Sequence, residues 1–131
     1  MSRSVVTFLM FEGKAEEAMR LYVSLFAGSE IRSIERWGAG EPGAEGSIKR
    51  ASVSLIGHEL VFFDSPIKHA FTFTPSMSLF VTCGDEAELD EAFRVLSAGG
   101  QVLMPLASYG FSQKFGWVND CFGVSWQLNW P

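Results

Sequence analysis

The chain has 131 residues, 47% of them hydrophobic and 19% charged, which is enough for one well-buried core and too little for two ordinary domains. Its formal net charge of −5 leaves no clustered basic face for nucleic acid or an anionic membrane, so neither is expected as a partner. No apolar run reaches the roughly 18 residues that span a bilayer, and the opening MSRSVVTFLMFEGKAEE turns acidic before a secretory core could finish, so a cytoplasmic location is expected.

VVTFLMF, residues 5–11, has the β-branched and aromatic character of a strand buried on both faces. After Gly13 the segment KAEEAMRLYVSLFAG sets Ala15, Ala18, Leu21, Tyr22 and Leu25 at helical spacing, with Gly28 as its stop. SEIRSIERWG (29–38) reads as a partly exposed strand, and AGEPGAEGS (39–47) as a polar loop. KRASVSLIG (49–57) and ELVFFDS (59–65) read as a hairpin joined at Gly57-His58. PIKHAFTFTPS (66–76), with Pro66 and Pro75 near its ends, is the one linker-like stretch.

The pattern then begins again. MSLFVTCG (77–84) reads as a strand, EAELDEAFRVLSAGG (86–100) as a helix, and QVLMPLA (101–107), SQKFGWVND (112–120) and GVSWQLNW (123–130) as three further strands. Sliding by 71 residues superposes Leu21 on Ala92, Tyr22 on Phe93, Leu25 on Leu96 and Gly28 on Gly99. The closing hairpins superpose at 66, with Gly57 on Gly123, Leu60 on Trp126 and Val61 on Gln127. The prediction is an α+β fold of two βαβββ repeats in a single domain, residues 1–131, with repeat 1 at about 4–65, a linker at 66–75 and repeat 2 at about 76–131.

Two βαβββ units resemble the vicinal oxygen chelate superfamily, which includes glyoxalase I, bleomycin-resistance proteins and extradiol dioxygenases. FLMFEGKAEEAMRLYVSLF at the start, VLMPLASYGFSQKFGWVNDCFGVSWQLNW at the end and the AGG between them resemble its PhnB-like branch, often labelled with a 3-demethylubiquinone-9 3-methyltransferase domain name. The resemblance implies two half-barrels that form an incomplete barrel around a small-molecule cavity, and a homodimer. Unpaired sheet edges also favour dimerisation.

Metal-dependent members of that superfamily hold a divalent ion with side chains from the first and last strand of each unit. By the resemblance those positions fall on Thr7 and Ser78, related by 71 residues, and on Val61 and Gln127, related by 66. Two hydroxyls, an amide and a valine offer neither carboxylate nor imidazole, so no metal and no cofactor is expected. A slip of one residue would bring in Phe8, Leu60 or Phe62, Ser76 or Leu79, and Trp126 or Leu128, again without a metal ligand.

Cys83 and Cys121 have no CxxC spacing and read as buried free thiols. His58 is placed in a hairpin turn and His69 in the linker, as solvated loop residues, while Asp64 and Asp120 stand where turn chemistry accounts for them. No GxGxxG after a strand, GxxxxGK[ST], GxSxG or Cys/His nucleophile pair is present, which leaves the methyltransferase label without support in the residues. If Gln127 faces the cavity, Ser125 and Asn129 share its face, while Trp126 and Leu128 face the helices.

The resulting expectation is a binder of a small organic molecule, with Thr7, Ser78, Gln127, Val61, Phe62 and Trp117 as ligand-binding candidates. The residues decide neither for nor against catalysis, and catalytic residues are not assigned. The alternatives are a lyase, isomerase or dioxygenase of the same superfamily, and a resistance-type protein that sequesters a drug.

Overall fold

Each half of the chain makes one helix and four strands, in the order strand, helix and three strands. The computed structural model describes residues 2–131. They form β1 (Thr7–Phe11), α1 (Ala15–Leu25), β2 (Glu30–Arg36), β3 (Ile48–Leu55), β4 (His58–Asp64), β5 (Ser78–Thr82), α2 (Glu86–Ser97), β6 (Gln101–Ala107), β7 (Lys114–Asn119) and β8 (Ser125–Trp130). Two compact units result, one ending at His69 and the other spanning Ala70–Pro131.

In the first unit the strands run in the order β1-β4-β3-β2, with β1 parallel to β4 and the other neighbours antiparallel. Leu60 and Phe62 of β4, Leu9 and Phe11 of β1, and Ala51 and Val53 of β3 share the face that α1 covers. There Phe62 stacks on Phe11 at 5.6 Å and meets Tyr22 of α1 at 6.0 Å. Alternation carries Phe8, Val61, Phe63 and Ser52 to the opposite, open face.

The second unit repeats the plan as β5-β8-β7-β6, again with its first and last strands parallel. Trp126 and Leu128 of β8 are fully buried on the helix side, as alternation predicts. Gly116 lies against Phe93 of α2, where an added Cβ would come within 2.7 Å of the ring. Pro105 sits in β6, an end strand of this sheet, where its missing N–H interrupts no central ladder.

Each unit is fastened internally by one buried carboxylate. Asp64 Oδ1 accepts from the backbone N–H of Gly13 (2.8 Å) and Ala15 (3.0 Å), and its Oδ2 from that of Ile48 (2.9 Å). It thereby caps α1, whose own N-cap residue Lys14 makes no side-chain cap. Asp120 Oδ1 accepts from the N–H groups of Phe122 (2.9 Å) and Val124 (3.0 Å), and Oδ2 from Trp126 Nε1 (3.0 Å), which fixes the β7–β8 turn.

Three local expectations need correction. His58 opens β4 instead of sitting in the turn, which is made by Ile56 (φ 49°) and Gly57 (φ 85°), and its ring bonds the Thr7 hydroxyl at 3.0 Å. Cys121 is exposed, whereas Cys83 is buried and desolvation, with Glu88 and Asp85 nearby, pushes its thiol up to about 12. The first strands of the two units are related by 72 residues (80 − 8), not 71, because Phe8 pairs with Val61 as Phe80 pairs with Gln127.

Candidate functional site

The offset of 72 decides which candidates share a face. Ser78 pairs with Ser125, and Phe80 with Gln127, so all four point to the open side of the second sheet. Trp117 pairs with Gln127 across β7–β8 and joins them. Thr7 pairs with Leu60 and therefore stands on the helix-facing side of its sheet, where its hydroxyl bonds His58, and it has no equivalence to Ser78.

Phe62 must be corrected as well. It is fully buried between Phe11 and Tyr22 beneath α1, which leaves no ring surface for a ligand. Val61 does lie on the open face of the first sheet, but the residue is only 1% exposed. Phe8, the neighbour one residue along from Thr7, occupies that face and is 53% exposed, in ring contact with Phe63 at 5.6 Å.

In the second unit Ser78, Gln127 and Trp117 are brought together, with Ser125 as the missing link. Trp117 Nε1 donates to Ser125 Oγ at 2.8 Å, the two serine hydroxyls are 2.7 Å apart, and Gln127 Nε2 donates to Ser78 Oγ at 3.3 Å. Ser125 is 2% exposed, so its hydroxyl has to find partners within the protein. Period-2 alternation from Gln127 was the sequence signal for Ser125, but its partners were not visible there.

Beside this chain lies an aromatic group. Phe80 meets Phe115 at 6.2 Å, and Phe115 meets Phe111 edge-on at 4.9 Å and Tyr109 at 6.1 Å. Phe80 is 56% exposed and Phe111 63%, although both are large apolar rings. The strand residues of this face, among them Ser78, Phe80, Met104, Phe115, Trp117, Asn119, Ser125, Gln127 and Asn129, include no ionisable side chain.

The same chemistry answers the question of a metal. Ser78, Ser125 and Gln127 present neutral hydroxyl and amide groups already bonded to one another, with no anion to balance a dication, so they do not fit a divalent site. Among the described residues no group of three or more His, Cys, Asp or Glu is placed to hold a metal ion. Among the described residues no helix is long and apolar enough to cross a membrane.

Paired βαβββ units of this kind define the glyoxalase/bleomycin-resistance/dioxygenase fold; a protein of that description from Alicyclobacillus acidocaldarius matches with a TM-score of 0.53 at 14% identity, covering 99% of this chain and 94% of its own. The chain belongs to the family described as 3-demethylubiquinone-9 3-methyltransferase, whose model matches residues 3–129. The PhnB protein of Bacillus cereus, which carries that methyltransferase label, is 55% identical with a TM-score of 0.95, covering 98% of this chain and all (100%) of its own. Protein PA1353 from Pseudomonas aeruginosa is 26% identical with a TM-score of 0.82, covering 98% and 97%. A search of the curated proteins finds no match.

Proposed function

We propose that this protein binds a small organic molecule through the open face of its second sheet, without a catalytic metal, as a cytoplasmic homodimer. The observation that carries the reading is the Trp117–Ser125–Ser78–Gln127 chain beside the exposed Phe80: a few oriented polar groups among aromatic surface, which is the composition of a small-molecule site. Large rings such as Phe8, Phe80 and Phe111 left exposed on one chain support association with a second copy. Methyl transfer is not part of the reading, since each sheet has a single parallel strand pair and no strand is followed by a glycine-rich phosphate loop.

Thermal unfolding tests it. Ni²⁺, Zn²⁺ and Mn²⁺ are expected to leave the midpoint unchanged, while an organic ligand from a diverse library raises it by linkage. Stabilisation by micromolar metal that disappears in Gln127→Ala would defeat the proposal. A second reading, sequestration of a drug-like aromatic compound, draws on the Phe80, Phe115, Phe111 and Tyr109 rings. It predicts that aromatic antibiotics dominate the hits.

A further inference from the structure

The protons of the polar chain can be counted. Trp117 Nε1–H goes to Ser125, one proton is shared between the two serine oxygens, and one amide proton of Gln127 goes to Ser78. One serine hydroxyl proton is left over. If Ser125 kept it, an unpaired donor would sit on a residue that is 2% exposed, which costs more than leaving it on the half-buried Ser78. The direction is therefore Trp117 to Ser125 to Ser78, and the chain ends in an outward Ser78 O–H. Turning the Gln127 amide over makes its oxygen the acceptor for Ser78 and moves the outward donor to Gln127 N–H. In both arrangements the face presents a donor, strengthened by the bonds behind it.

From this surplus donor, the exposed Phe80 ring and the absence of ionisable strand residues on that face, we infer that the site takes an uncharged ligand whose carbonyl oxygen is carried on a planar apolar body. The ligand's oxygen accepts from Ser78 or Gln127, and its ring covers the exposed Phe80, which the buried Phe115 backs at 6.2 Å. A carboxylate would lose its hydration with no cation on the face to compensate. This inference rests on the metal-free binding reading and specifies its ligand class.

The test uses three flat probes with the full chain: coumarin, which has a neutral carbonyl; naphthalene, which has no acceptor; and coumarin-3-carboxylate, which is an anion. Titrations are followed by the ¹⁵N–¹H signal of the Trp117 indole. Coumarin is expected to bind about tenfold more tightly than either of the others and to move that signal. Ser78→Ala should weaken coumarin about tenfold and leave naphthalene unchanged, while Ser78→Thr, which keeps the hydroxyl, restores coumarin binding. Should Ser78→Ala fail to fold, Gln127→Leu supplies the same comparison. Tighter or equal binding of the anion, equal loss for coumarin and naphthalene in the variant, or no coumarin binding near Trp117 overturns the inference. Anion binding without metal would leave the broader reading standing, whereas binding that appears only with added Mn²⁺ would remove both.

Discussion

The two βαβββ units are fastened at opposite ends. In the first, Asp64 closes the last strand and reaches three backbone N–H groups, at the loop before α1, the start of α1 and the start of β3. In the second, the corresponding position (64 + 66) is Trp130, and the buried carboxylate is Asp120 at the β7–β8 turn. The first unit needs no carboxylate at its equivalent turn, because Ile56-Gly57 closes the hairpin tightly with both residues at positive φ. One chain trace therefore tolerates two solutions to the same problem, satisfying buried backbone donors at the sheet ends. The open faces diverge too: the first sheet carries Glu59, opposite Ser54, and Arg50, opposite Glu35, on its open side, while the strand residues of the second sheet's open side are neutral.

The largest effect should come from removing the first fastener. Asp64→Ala strands three N–H groups, two of them in buried bonds, and is expected to cost about 3 kcal/mol or more, measured by urea unfolding. Asp120→Ala should cost less, about 2 kcal/mol, since its donors lie within six residues of it and the turn can rearrange. Equal losses would mean that joining distant segments adds nothing.

Gly116→Ala sharpens the comparison of the helix-facing surfaces. Its counterpart in the first sheet is Ala51, since Ala51 pairs with Phe62 as Gly116 pairs with Leu128. A methyl fits there, but at Gly116 it would meet Phe93 at 2.7 Å, so a loss of about 2 kcal/mol is expected in the same unfolding assay. At the tight turn the sign reverses: Ile56 is an exposed β-branched residue at φ 49°, and Ile56→Asn should raise stability by about 1 kcal/mol in thermal unfolding.

The smallest effect concerns charge on the first unit. Glu16 is held at about 2, chiefly by its hydrogen bonds to Arg36 and then Arg20. A carboxylate depressed in the folded state contributes stability above its unfolded value near 4.5, and that contribution fades as pH falls toward 2. Glu16→Gln should flatten the stability-versus-pH curve within that window and lower stability above it, neutral pH included, by the same amount, which is small because the pair is well solvated.

The sequence disclosed much of this and withheld one residue of register. The doubled βαβββ pattern, the helix faces through Tyr22 and Leu96, and the placement of Gln127 and Ser125 opposite Trp126 follow from periodicity alone. The pairing of Thr7 with Ser78 does not survive, because an offset measured on the helices was carried across a loop whose length differs by one. Phe11, the end of β1, corresponds at the offset of 72 to Cys83, the buried residue just past β5, so α1 begins four residues later (15 − 11) and α2 three (86 − 83). That difference has a physical companion: α2 caps itself with Asp85, which accepts from Glu88 N–H at 2.8 Å, while α1 waits for Asp64. Likewise, nothing in the spacing of Ser78, Trp117 and Ser125 announces three side chains joined by hydrogen bonds, since they come from three strands brought together only by the sheet.

The distant cap on α1 also has a temporal meaning. Asp64 lies 49 residues beyond the Ala15 N–H it satisfies, whereas Asp85 lies three residues before the Glu88 N–H that it caps. During synthesis the cap of α2 is available locally as soon as that segment emerges, whereas the cap of α1 is expected to be missing until the chain has been made as far as the end of β4 and that strand has docked beside β1. The half of the protein made first is thus the half whose helix is completed by its own last strand.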